Sequence, residues 1–272
     1  MSYIGIIGAK RLDERSPSLH LVEAYHKALR LHQTGQDMRT IKLETGWELG
    51  VDALWRYEVL DPFHTTEKIE DYLKRHFGEA INIRYCMHDI QLLVAYPELE
   101  RLRLFALYNP QRRWAGYFSP EDYGMMVCMG TARSPFEYQT EGILLHEIQH
   151  LIQEIEGFAR GGSSSESGCL SLAGEVEARN VCHRHCLSPE ERKRSLRTDT
   201  QDVPDEVQII RLGPSHRFPS KARHNDNLEI LSSMRQNLLS EGASVVPVVF
   251  EEYLRLSHGW VDLTNFVWLT NE

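Results

Sequence analysis

Apolar residues recur at three- and four-residue steps in several stretches, most strongly over 143–155. There Ile143, Leu144, Leu145, Ile148, Leu151, Ile152 and Ile155 form a broad apolar stripe, as a core-packed helix requires. No Pro or Gly interrupts 143–156, and Gly157 supplies a stop. A looser stripe of Leu19, Val22, Tyr25, Ala28, Leu29 and Leu31 predicts a helix over 16–32 that ends at Gly35. Asp37 is placed to cap a second, short helix through Leu43. Ile69, Tyr72, Leu73 and Phe77 share a register that predicts a helix over 65–77. Further helices are expected over 172–186, from Pro189 onward and over 227–240, followed by an apolar run at 245–250.

Other stretches read as extended. Residues 3–7 predict a short strand or turn ending at Gly8. Residues 45–59 place Trp47 and Trp55 on either side of a Gly/Asp turn, which predicts a β-hairpin with a small aromatic core. Residues 95–99 predict a turn or helix end, because Pro97 disfavours helix in the residue before it. Strands are expected over 102–107, 113–118 and 123–129, leading into the 143–156 helix. The Gly/Ser-rich stretch 160–168 predicts a flexible loop, and 199–204 an extended linker. The pattern is α+β, with a small mixed sheet ahead of two helices. No internal repeat stands out.

Composition narrows the class without naming a function. A chain of 272 residues with 42% hydrophobic and 25% charged residues can bury a sizeable core. Its net charge of −9 gives no strong nucleic-acid signal. The start lacks a charged, then apolar, leader pattern, and no apolar run approaches membrane-spanning length. The 5 Cys are odd in number and irregularly spaced, which suits free thiols and a cytoplasmic location.

Chemistry enters at His146-Glu147-Ile148-Gln149-His150, a His-Glu-x-x-His pentad inside the strongest stripe. On a helix its two His lie one turn apart on one face, so both imidazoles reach one metal ion and Glu147 reaches a water there. With 13 His in the chain, three fixed positions match by chance in roughly 5% of such sequences, so the flanking helix pattern carries much of the weight.

A catalytic zinc takes three protein ligands and keeps one position open. The third is expected from Gly174-Glu175-Val176-Glu177-Ala178-Arg179, where Glu175 and Glu177 face different sides of a helix. Glu175, 25 positions after His150, is chosen over Glu177, with Arg179 one turn on to orient its carboxylate. Both Glu on a solvated face, paired with Arg179 and Arg184, is the plainer alternative. Glu147 is then the general base, and Arg160, Arg179, His183 and Tyr138 are candidates to stabilise an oxyanion. Cys182 and Cys186, four apart, are expected to be core-facing thiols rather than a second metal site.

Several blocks together resemble a known family. Leu144-Leu145-His146-Glu147-Ile148-Gln149-His150 with 153–162, and 172–181, resemble large polyvalent protein-associated domain 23, found in polyvalent proteins of phages and conjugative elements. So do Ile41-Lys42, Thr45-Gly46-Trp47, Trp55-Arg56-Tyr57-Glu58 and Ala95-Tyr96-Pro97-Glu98-Leu99. The resemblance spans about residues 1–212 and leaves 213–272 as an extension of unassigned role.

It implies a zincin-like metallopeptidase fold of mobile-element origin. His146, His150 and Glu175 would hold Zn2+, Glu147 would act as base, and a protein or peptide would be the substrate. The competing expectation is a non-catalytic, antirestriction or toxin-like interaction module that keeps a zinc site. Neither carries a membrane partner.

Overall fold

A computed structural model describes residues 6–9, 19–59, 69–76, 79–83, 90–108, 116–119, 124–129, 140–162 and 166–213. The expected helix over 227–240, the apolar run at 245–250, and Tyr123 and Tyr138 lie outside the described residues.

The described part is α+β, with two small sheets and seven named helices among the described residues. The first sheet is antiparallel. Strand β1 (Ile6–Gly8) and strand β2 (Trp47–Leu49) both pair with the central strand β3 (Trp55–Glu58). Helix α1 (Leu19–Gln33) and helix α2 (Met38–Thr45) precede the hairpin. The start of α2 is set as the sequence predicts: the Asp37 carboxylate accepts from the Thr40 N–H, and Gly46 ends the helix at φ 77°. Trp47 and Trp55 are buried beside Tyr25, with Tyr25 and Trp47 ring centroids 5.1 Å apart. The expected aromatic core therefore exists, and α1 supplies part of it.

The second sheet has four strands: β4 (Ala80–Asn82), β5 (Arg103–Tyr108), β6 (Gly116–Ser119) and β7 (Gly124–Met129), in the order β4-β5-β7-β6. β5 and β7 are parallel, while β4 and β6 join antiparallel at the two ends. Central strands face apolar neighbours on both sides, which explains the unbroken apolar run of Met125, Met126 and Val127, all fully buried. Helix α3 (Ile69–Arg75) buries Ile69 and Leu73. Helix α4 (Ile90–Ala95) and strand β4 were not expected from the sequence; at six and three residues each is too short to display a period.

Helix α5 (Thr140–Glu156) lies on the second sheet and buries all seven residues of the 143–155 stripe. Each contributes about 1.5–3 kcal/mol through burial, enough together to fix which face of α5 turns to the core. Gly157, at φ 77°, ends α5 where expected. Helix α6 (Ala173–His185) packs along α5, and the Cys182 thiol donates to the Gly142 carbonyl at 2.8 Å. Cys186 is exposed, which corrects the expectation of two core-facing thiols: α6 ends there, and only Cys182 still faces α5.

Helix α7 (Pro189–Arg194) starts on a Ser188–Glu191 capping box. The expected linker 199–204 runs between two short 3-10 turns, Arg197–Asp199 and Asp205–Val207. Buried charges tie the hairpin to α6: Arg184 forks onto Glu58 at 3.0 and 2.6 Å, and Lys42 pairs with Glu48 and Glu58.

Candidate metal centre

α5 carries His146 and His150 one turn apart, with ring centroids 4.7 Å apart and planes nearly perpendicular. Glu175 sits in the first turn of α6, where a helix N-terminus favours negative charge. The two helices bring these three side chains together. His146 Nε2 lies 3.0 Å from His150 Nε2. Each imidazole Nε2 is 3.3 Å from a different oxygen of Glu175. It is the group of metal-competent side chains found among the described residues. Their side chains keep exposures of 21, 16 and 14%, so the cluster is not sealed from solvent.

The chain around the cluster is shaped to fit it. The Gly162 N–H donates to Glu175 Oε1 at 3.0 Å. A Cβ on Gly161 would strike both Glu175 Oε1 and His150 Cε1, so the backbone after α5 approaches the two side chains more closely than any other residue allows. A Cβ on Gly174 would strike the backbone of Arg160 and Gly161, so the first turn of α6 rests directly on this loop. The stretch expected to be a flexible loop thus forms one wall of the cluster at 160–162.

Glu147 is buried beneath β6: a Cβ on Gly116 would collide with its carboxyl group. Burial pushes its pKa up to about 8, against a lowering contribution from His150. Burial would raise Glu175 too, but His150 and His146 outweigh it and hold Glu175 at about 2. Burial lowers His146 below its ordinary value. For His150 burial also lowers, yet the Glu175 and Glu147 carboxylates win and the pKa is raised. A bound metal ion would reverse this local balance.

A hydrogen-bonded network behind the cluster holds its side chains in place, and sequence reasoning found little of it. Gln153 Oε1 lies 2.9 Å from His150 Nδ1. The Gln153 amide nitrogen donates to the Gly174 carbonyl at 2.9 Å and to Glu177 Oε1 at 3.2 Å. Gln149 also donates to Glu177 Oε1, at 2.9 Å. Glu177 Oε2 takes a short hydrogen bond from Arg56 Nε. Glu177 thus lies outside the His146–His150–Glu175 cluster and, rather than sitting on a solvated face, is the hub of a largely buried network. The signal that existed was Gln153 itself, an amide inside the most apolar stripe of the chain, three residues after His150.

The other predicted residues fall elsewhere. Arg179 does not orient Glu175; it pairs with Asp202 at 2.6 Å and donates to the Leu170 carbonyl at 2.7 Å. The competing carboxylate of Asp202 comes from a turn 23 residues away, beyond the reach of helical spacing rules. Arg160 pairs with Glu154 at 2.6 Å. His183 is exposed.

Residues 9–65 match the family described as large polyvalent protein associated domain 23. The matched segment holds α1, α2, β2 and β3, so the resemblance of 41–42, 45–47 and 55–58 is borne out. The blocks at 144–162 and 172–181 lie beyond the matched residues. No curated protein and no solved structure matches the chain.

Proposed function

We propose that the chain, whose residues 9–65 match large polyvalent protein associated domain 23, is a zinc-dependent peptidase of a phage or other mobile element, working in the bacterial cytoplasm on a protein or peptide. The observation that carries the reading is the convergence of His146, His150 and Glu175 from two helices. Zn–N and Zn–O bonds of about 2.0–2.1 Å in a tetrahedron set neighbouring donor atoms about 3.3 Å apart. Here the two imidazole Nε2 atoms stand 3.0 Å apart, and each is 3.3 Å from one of the two Glu175 oxygens. Two His and one Glu form a three-ligand set that suits a catalytic zinc of the gluzincin kind.

The first-turn Glu on α6, the His pair on α5 and the sheet behind α5 support a zincin-like fold. A purely structural zinc calls for a fourth protein ligand. Among the described residues the cluster holds three, and its partial exposure favours the catalytic reading over a non-catalytic zinc module. Bound zinc would supply a Lewis acid that polarises a scissile carbonyl and acidifies a nearby water.

The chain's own residues supply the rest. Glu147, buried next to the ligands, takes a proton from the attacking water and delivers it to the leaving amine. Strand β6 ends the second sheet, and among the described residues no strand pairs with its outer edge. Gly116 on β6 lies against the Glu147 carboxyl group, so this strand borders the base.

The test is Glu147→Gln in the full chain. It is expected to keep zinc and to lose cleavage of a peptide library by at least about a hundredfold. Undiminished cleavage would remove Glu147 from the chemistry.

A further inference from the structure

The buried network behind His150 reaches back into the family-matched segment. Arg56 lies on β3 and is 4% exposed at its side chain. Asp52, in the turn between β2 and β3, holds it by a fork of 2.6 and 2.8 Å. Asp52 also accepts from the Ala159 N–H at 2.8 Å, in the loop that follows α5. The Arg56 guanidinium stacks 3.9 Å over the Phe158 ring and passes its Nε–H to Glu177. Glu177 in turn accepts from Gln153.

Donor and acceptor roles then follow without freedom. The Gln153 NH2 faces two acceptors, the Gly174 carbonyl and Glu177, so its oxygen must face His150. That oxygen can only accept, so His150 carries its proton on Nδ1. Its Nε2 faces His146 and Glu175 and is the nitrogen left to bind a metal. Reversing the Gln153 amide would place its NH2 against His150 and its oxygen against two other oxygens.

We infer that the β2–β3 hairpin of the domain 23 segment is a working part of the metal centre: Arg56, through Glu177 and Gln153, positions His150 and fixes the tautomer that can bind metal. The inference rests on the proposed zinc reading and adds to it. It makes Arg56, Glu177 and Gln153 positioning residues, and gives the family segment a role in a site whose ligands it does not contain. Partners that orient a ligating His in this way commonly change metal affinity 10–100-fold.

The test measures Zn2+ affinity of the full chain by competition with a chromogenic chelator, together with the visible absorption of the Co2+ form. Both are read on protein whose circular dichroism shows it folded. Gln153→Met keeps side-chain length and removes every hydrogen bond; it is expected to weaken Zn2+ by about 10–100-fold and to shift the Co2+ bands. Arg56→Met, two steps from the metal, is expected to weaken Zn2+ by about tenfold, and Arg56→Lys to recover part of that loss.

A merely structural network predicts the opposite: lower melting temperatures, with Zn2+ affinity and the Co2+ spectrum unchanged in Gln153→Met and Arg56→Met. That outcome overturns the inference. If Gln153→Met does not fold, Arg56→Met and Arg56→Lys decide by the same readout. Wild-type protein that binds no Zn2+, or a His146→Ala variant that binds it as tightly as wild type, overturns the zinc reading itself and is distinguishable from failure of the inference alone.

Discussion

At the scale of single residues, the candidate centre depends on side chains that approach within van der Waals limits because glycine lets them. Gly161 shows this most clearly: its φ is not in the left-handed region, so its role is space, not backbone freedom. Gly161→Ala is expected to displace Glu175 and His150, weakening Zn2+ by about tenfold or more while the metal-free melting temperature moves by only a few degrees. Zinc titration with thermal melts checks this, and unchanged affinity would show that the ligands have room.

The clustering of His146, His150 and Glu175 was legible in the sequence because the pentad sits on one helix turn and Glu175 follows on a second helix. Gln153 and Glu177 were visible as residue types but not as partners. Arg56 and Glu177 are 121 positions apart, and no local period connects them.

At the scale of elements, the hairpin and the loop after α5 are joined by one carboxylate. Burial alone would raise the pKa of Asp52, but the Arg56 fork and the Ala159 N–H outweigh it and hold Asp52 below the ordinary carboxylate range. The folded value is thus depressed relative to an unfolded value of about 3.9. The stability it contributes is fully present above that value and is lost as pH falls through the depressed folded value.

Asp52→Asn is expected to lower stability at neutral pH by about 2–3 kcal/mol, a charged hydrogen-bond pair lost in a buried site, and to flatten the acid side of the curve. Urea midpoints from pH 7 down to pH 3 measure both; parallel curves for the two proteins would contradict it. The long elements were legible: α1, α2, α5 and α6 all fall within a few residues of their expected bounds. α4 and β4 were not, since the burial that stabilises them comes from strands and helices distant in sequence. Arg179 was misassigned because i, i+4 proximity lost to a carboxylate on another turn.

At the scale of the whole molecule, two sheets and a pair of packed helices meet at one cluster. The family-matched segment supports it from behind through Asp52 and Arg56, and β6 lies against Glu147 on the other side. The α+β class was legible from alternating helical and extended patterns. The union of the hairpin with α5 and α6 was not, because it rests on Lys42, Glu48, Glu58 and Arg184, charges that read as surface residues in sequence and are buried in the fold. Among the described residues, no helix is long and apolar enough to cross a membrane.

Metal binding by His146, His150 and Glu175 is measured directly by metal content. Full-length protein is stripped with chelator, refilled with Zn2+ at neutral pH, freed of excess metal and assayed by mass spectrometry beside a Glu175→Ala variant. About one zinc per wild-type chain, with most of it lost in Glu175→Ala, is the predicted result. Wild-type protein that retains no zinc, or a Glu175→Ala variant that retains as much as wild type, would contradict it.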